Sequence, residues 1–220
     1  MRCIIFANGA YGDLDAYRDI IREGDKILCA DGGSNYAFQL GIRPDCIAGD
    51  MDSIRPEVME FYATLQVPLQ KFPPRKNFTD IQLCLDIARG WGAEEITMLG
   101  SLGKRLDHTL ANLYAGMELV RQGLRISHFT PECWVYIIDR ELHIIGQPGD
   151  TVSVLVLTDQ ARGVSETGFE YTPTSPLMMN SQPYAVSNLL TGCRGTIQVE
   201  QGILAVFHYF TAALGTPAPQ

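Results

Sequence analysis

The sequence predicts an α/β domain followed by an all-β domain. The first is a mostly parallel α/β/α sandwich over residues 1–130, the second an antiparallel β-sandwich over residues 131–220. Three observations carry this. Short apolar runs alternate with segments of helical spacing as far as Phe129. Beyond Thr130-Pro131 the pattern changes to period-two or short apolar runs separated by glycine turns. Finally, 46% hydrophobic and 19% charged residues over 220 positions suffice for one large packed domain or two small ones.

The elements follow in order. Cys3 to Ala7 is an apolar strand closed by Asn8-Gly9. Leu14, Tyr17, Ile20 and Ile21 recur at helical spacing within 13–21. Lys26 to Ala30 is a second strand, ending at Asp31-Gly32-Gly33-Ser34, where glycines allow close backbone approach to a ligand and Ser34 can cap the next helix. That helix stops at Gly41. Pro44-Asp45 introduces a third strand that runs into Asp50 and Asp52, and a helix spans Pro56 to Leu65. After a strand from Leu69 to Phe72, Thr79 and Gln82 form a T-x-x-Q capping box, with Asp80 in the first turn of a helix ending at Gly90 or Gly92. Glu95 to Leu99, a helix from Thr109 to Gln122, and Leu124 to Phe129 complete the first half. In the second half Val135–Asp139, Glu141–Ile145, Thr151–Leu157, Gly195–Glu200 and Ile203–Phe210 read as strands.

Composition excludes several functions. A formal net charge of −8 argues against a broad nucleic-acid surface, so any phosphate must be held by local cations, backbone amides or a metal. The 6 cysteines are scattered without C-x-x-C spacing, which indicates free core thiols in a reducing compartment rather than disulfides or zinc. No run reaches membrane-spanning length, and the N-terminal apolar run is too short for a signal peptide. A soluble, cytoplasmic protein with no membrane partner is the expectation.

Chemistry concentrates in the acids at strand ends and helix starts. Asp50 and Asp52 are two residues apart; on a strand that persisted to its end, both would point to one face. Such a pair is either a solvated turn or a holder for a cation such as Mg²⁺ carrying nucleotide phosphates. Asp31, Asp80 and Asp107 occupy comparable positions, and would converge if strands two, three and five were neighbours. Arg75 and Lys76 precede Asp80, and Lys104 and Arg105 precede Asp107. Carboxylates, cations and glycines together suit phosphoryl-type transfer. There is neither G-x-x-x-x-G-K-[ST] nor G-x-G-x-x-G.

Ala30-Asp-Gly-Gly-Ser-Asn35, Arg43-Pro-Asp45, Gly49-Asp-Met-Asp-Ser53, Lys76-Asn-Phe-Thr-Asp80 and Gly103-Lys-Arg-Leu-Asp-His-Thr-Leu-Ala-Asn112 closely resemble the thiamine pyrophosphokinase family, in its order and roughly its spacing. Ser187-Asn188 resembles a further element. The resemblance implies a nucleotide-binding catalytic first domain and a thiamine-binding second one. It implies transfer of the pyrophosphoryl group of ATP to the hydroxyl of thiamine, giving thiamine diphosphate and AMP. Asp50, Asp52 and Asp80 then correspond to Mg²⁺ ligands, and Asp107, Asp31 and Arg105 to catalytic groups. Gly32, Asn35, Lys76, Lys104, Arg105, Ser187 and Asn188 would bind the co-substrates. A homodimer with active sites at its interface is implied as well. Two positions depart: Asn77 replaces the first acid of D-x-T-D, and Lys104 stands where glycine is common. Lys104 is open between a phosphate role and a solvated loop cation. A pterin-like acceptor on the same scaffold, or a non-catalytic nucleotide or thiamine sensor, are the competing functions.

Overall fold

The computed structural model describes residues 1–73, 78–172 and 174–211, with the side chains of 174–176 excepted. The chain divides between Pro131 and Glu132 into two compact units. In the first, β1 (Arg2–Phe6), β2 (Lys26–Ala30), β3 (Cys46–Gly49), β4 (Leu69–Lys71), β5 (Glu95–Leu99) and β6 (Arg125–Thr130) form a parallel array in the order β6-β5-β1-β2-β3-β4. Near-continuous apolar runs such as Cys3–Phe6 are buried, as strands covered on both faces require. Phe6 stands opposite both Cys29 and Leu99, and Ala30 opposite Ala48. The residues following β1, β2, β3 and β5 therefore emerge along one carboxyl edge. From β1 the chain adds strands outward to β4, then returns to the other side of β1 with β5. That reversal is the topological switch point where open α/β sheets bind ligands. Strands two and three are neighbours as expected, but β1 lies between β2 and β5.

Helices α1 (Ser34–Gln39), α2 (Pro56–Thr64), α3 (Asp80–Gly90), α4 (Leu106–Ala115) and α5 (Met117–Arg121) connect the strands. The capping box at Thr79 and Gln82 is formed in both directions, at 3.2 and 2.9 Å. Three expectations change. The segment around Tyr17 is a 3-10 helix, Asp15–Ile20, held by Tyr17 packing on Tyr11 and Phe129. Ser34 does not N-cap α1; it is that helix's first residue and closes the 3-10 turn Asp31–Gly33, its hydroxyl donating to the Asp31 carbonyl at 2.9 Å. The single helix over 109–122 is two helices, starting earlier at Leu106 and interrupted at Gly116. There a Cβ would meet Ile126 Cγ2 at 2.8 Å, so the chain comes too close to β6 for any side chain.

The second unit holds β7 (Cys133–Ile138), β8 (Glu141–Ile145), β9 (Thr151–Val156), β10 (Gln160–Thr167), β11 (Thr174–Met179), β12 (Asn188–Leu189), β13 (Arg194–Gln198) and β14 (Leu204–Tyr209). They form antiparallel arrays β12-β9-β14-β7 and β11-β10-β13-β8. Val152, Val154, Leu204 and Val206 of one share a core with Ala161, Val164 and Ile197 of the other. No helix among the described residues is long and apolar enough to cross a membrane.

One polar cluster braces this unit. The buried Asp150 carboxylate accepts from Gln147 N, Thr211 N, Thr211 Oγ1 and His208 Nε2, at 2.8 to 2.9 Å. Burial pushes its pKa up, but these hydrogen bonds outweigh burial and hold it at about 2. A carboxyl depressed in the folded state stabilises fully above its unfolded value near 4 and loses that contribution as pH falls toward 2. Urea unfolding of wild type should therefore lose on the order of 2 kcal/mol across this window that Asp150→Asn does not lose. Equal slopes in both proteins would refute the assignment.

Candidate active site

Asp31 follows β2 directly and opens the 3-10 turn Asp31–Gly33. Its φ of +46° is left-handed, uncommon for a residue other than glycine. Its side chain is buried, and Oδ1 has no hydrogen-bond partner in the protein. β3 ends at Gly49, one residue before Asp50, so the two acids do not share a strand face. A left-handed Met51 (φ +69°) turns the chain between them instead. Asp52 N then donates to Asp50 Oδ1 at 3.3 Å, and Ser53 Oγ to Asp52 Oδ1 at 2.8 Å. Gly49 makes room: a Cβ there would sit 2.8 Å from that of Asp31.

The outcome is a cluster in which one carboxylate oxygen from each of Asp31, Asp50 and Asp52 lies within 4.8 Å of the other two. Burial first, then the Asp50 and Asp52 charges, push the Asp31 pKa up, against hydrogen bonds from Ser53 and Gly32. Three gathered carboxylates and an orphaned buried oxygen are costly without a partner. Hard oxygen donors of this kind fit a divalent cation such as Mg²⁺, which leaves further positions for phosphate and water. The tight trio contains Asp31 rather than the expected Asp80.

All three acids line a crevice of about 520 Å³ in the first unit. Asp80 lines it from the start of α3, and Lys104 and Arg105 from the loop after β5. Asp107 is absent from its lining. It is exposed and paired with Arg105, Nε to Oδ1 at 3.1 Å and Nη2 to Oδ2 at 2.5 Å. That hydrogen bond from Arg105 is the main reason its pKa falls to about 2. Asn35 is a brace outside the crevice lining: its Nδ2 donates to Ser53 O at 2.9 Å, and its Oδ1 accepts from Arg55 N at 3.0 Å. Gly32 is buried against Asn8, where a Cβ would come within 2.5 Å of the amide. Arg75, Lys76 and Asn77 lie outside the described residues.

Ser187 and Asn188 belong to the second unit. Asn188 is buried and internally committed: Nδ2 donates to Glu166 Oε2 (2.9 Å) and Tyr171 O (2.6 Å), while Oδ1 accepts from the Tyr171 and Leu189 amides. Ser187 is exposed and left-handed, with φ +63°. Sequence reasoning missed Asn8, Ser101, Asn112 and Phe78 in the crevice lining. The Asn8-Gly9 turn after β1 was a usable signal, and Phe78 and Asn112 lie within the family-like segments Lys76–Asp80 and Gly103–Asn112.

Fold and site together define an open, parallel α/β sheet with an acid-rich ligand crevice at its switch point, accompanied by an antiparallel β unit. Residues 10–128 match the family described as thiamin pyrophosphokinase, catalytic domain, so the chain belongs to the thiamin pyrophosphokinase family. It is 32% identical over 142 residues to rice (Oryza sativa subsp. japonica) thiamine pyrophosphokinase 1, covering 53% of each chain, so it spans about half that relative's length. It is 26% identical over 203 residues to Bacillus subtilis thiamine pyrophosphokinase, covering 87% of this chain and 89% of the relative. The Bacillus subtilis thiamine pyrophosphokinase crystal structure superposes with a TM-score of 0.86 at 22% identity, over 96% of this chain and 99% of that one. The enzyme from Geobacillus thermodenitrificans gives 0.83 at 23% identity, over 95% and 97%.

Proposed function

We propose that the chain transfers the pyrophosphoryl group of ATP to the hydroxyl of thiamine, giving thiamine diphosphate and AMP, with Mg²⁺ as cofactor. The observation that carries this reading is the Asp31–Asp50–Asp52 cluster sharing one crevice with Lys104 and Arg105, inside the segment that matches the family. The acceptor oxygen bonds to the β-phosphorus while the bond from that phosphorus to the α–β bridging oxygen breaks, and AMP leaves. Held at the three carboxylates, Mg²⁺ would supply charge neutralisation for the phosphates. Lys104 and Arg105 bind phosphate oxygens, and the wall from Phe78 to Ile81 limits water. Asp107, at the start of α4 and paired with Arg105, orients the acceptor hydroxyl or takes its proton as the new bond to phosphorus forms.

The β unit supplies the thiamine-binding surface, with Asn188 shaping the backbone at Tyr171 and Leu189 beside Ser187. The homodimer with interface active sites rests on the family resemblance, and the cytoplasmic location on 6 free cysteines, 5 of them buried. Incubation with ATP, Mg²⁺ and thiamine, followed by chromatography, tests the reaction. AMP and thiamine diphosphate should form in equal amounts. ADP would indicate a simple kinase, AMP formed only with a pterin would indicate another acceptor, and ATP binding without turnover would indicate a sensor.

A further inference from the structure

Ser101, two residues after β5, lines the crevice although its side chain is buried. Asn112 Nδ2 on α4 donates to its carbonyl at 2.7 Å, which fixes the loop. Its Oγ lies 2.8 Å from Nδ1 of His128 on β6. His128 is wholly buried, and burial pushes its pKa down to about 3, so the ring is neutral and carries one N–H. The other ring nitrogen, Nε2, is buried with no partner. An orphaned buried N–H is rarer than an orphaned acceptor. The hydrogen therefore belongs on Nδ1 and is donated to Ser101 Oγ. Ser101 must then place its own hydroxyl hydrogen elsewhere. The protein acceptor on offer, the Met98 carbonyl, is 3.5 Å away, beyond the usual O–H···O range of about 2.5–3.0 Å.

We infer that the Ser101 hydroxyl donates a hydrogen bond to a phosphoryl oxygen of the bound nucleotide, and that His128, through Nδ1–H, is the positioning residue that turns this hydroxyl into the crevice. The inference rests on the nucleotide reading above and extends it to a residue outside the family-like motifs.

Calorimetric titration with Mg²⁺ and ATP, without thiamine, is the test. Ser101→Ala should weaken binding about tenfold or more, as loss of a hydrogen bond to a charged group does, and its melting temperature without nucleotide should fall modestly because the buried Nδ1–H of His128 loses its acceptor. His128→Asn, whose Nδ2–H can replace Nδ1–H, should retain most of the affinity. His128→Leu should fall to the level of Ser101→Ala, and the double variant no lower, because both act through one hydrogen bond. Additive losses would make His128 merely structural and overturn its positioning role. Wild-type binding with unchanged affinity in Ser101→Ala would overturn the assignment alone. Wild type that binds no ATP would overturn the nucleotide reading and this assignment together. Two-bond ¹⁵N–¹H correlation spectra of the wild-type protein provide a readout independent of folding variants: Nδ1–H is expected, and Nε2–H overturns the inference.

Discussion

Asp50→Asn is expected to lower kcat/KM by about 100-fold or more while the apo protein melts no lower than wild type. The two effects share one cause. In the cluster Asp50 adds negative charge beside Asp31, whose carboxyl is already disfavoured as an anion by burial and by Asp50 and Asp52. Removing the charge relieves the apo fold and weakens the cation site. Thermal melts with and without Mg²⁺ should therefore cross: the variant equal or higher without Mg²⁺, wild type higher with it. Near-normal turnover would sink the metal assignment, and a variant that melts far lower without Mg²⁺ would show that Asp50 is structural.

Gly33→Ala should cost about 3 kcal/mol and lower the melting temperature by roughly 10 °C. Gly33 has ordinary helical angles, φ −58° and ψ −26°, so alanine is conformationally acceptable there and its helix propensity would favour the change. Space forbids it. An added Cβ would lie 2.0 Å from the Phe6 carbonyl oxygen and 2.6 Å from its carbon, in the backbone of the central strand. Relief requires moving α1 off β1, and Asp31 with it, so activity should fall as well. Gly90→Ala is the control, because it sits at the end of α3 with nothing within 4 Å of the added carbon. It should be neutral or slightly stabilising. Similar melting temperatures for the two variants would refute the packing argument.

The parallel half was legible because β1, β2 and β3 are buried and read as nearly unbroken apolar runs, whereas the exposed β4 is not such a run. β10, with Gln160-Ala-Arg-Gly-Val-Ser-Glu-Thr167, shows no such run; pairing with β11 and β13 makes it a strand. Asp50 and Asp52 were visible as a pair, yet a strand face is not what unites them. The left-handed turn at Met51 is, and local sequence carries little trace of a non-glycine residue in that conformation. Asp31 belonged with them only once β2 and β3 were known to be neighbours in register. Ser101 and His128 were illegible for a similar reason: 27 residues separate them, and β5–β6 pairing brings them together.

The placement of β1 also bears on how the chain is made. In the finished sheet β1 is interior, with β2 on one side and β5 on the other. During synthesis from the N-terminus, β2 is available soon after β1, but Glu95–Leu99 leaves the ribosome only after some ninety further residues. Until then Arg2–Phe6, four of whose five side chains end up fully enclosed, is an exposed apolar edge, a template for pairing with other chains. When β5 is made, every crevice carboxylate is already synthesised, and Lys104 and Arg105 are still to come.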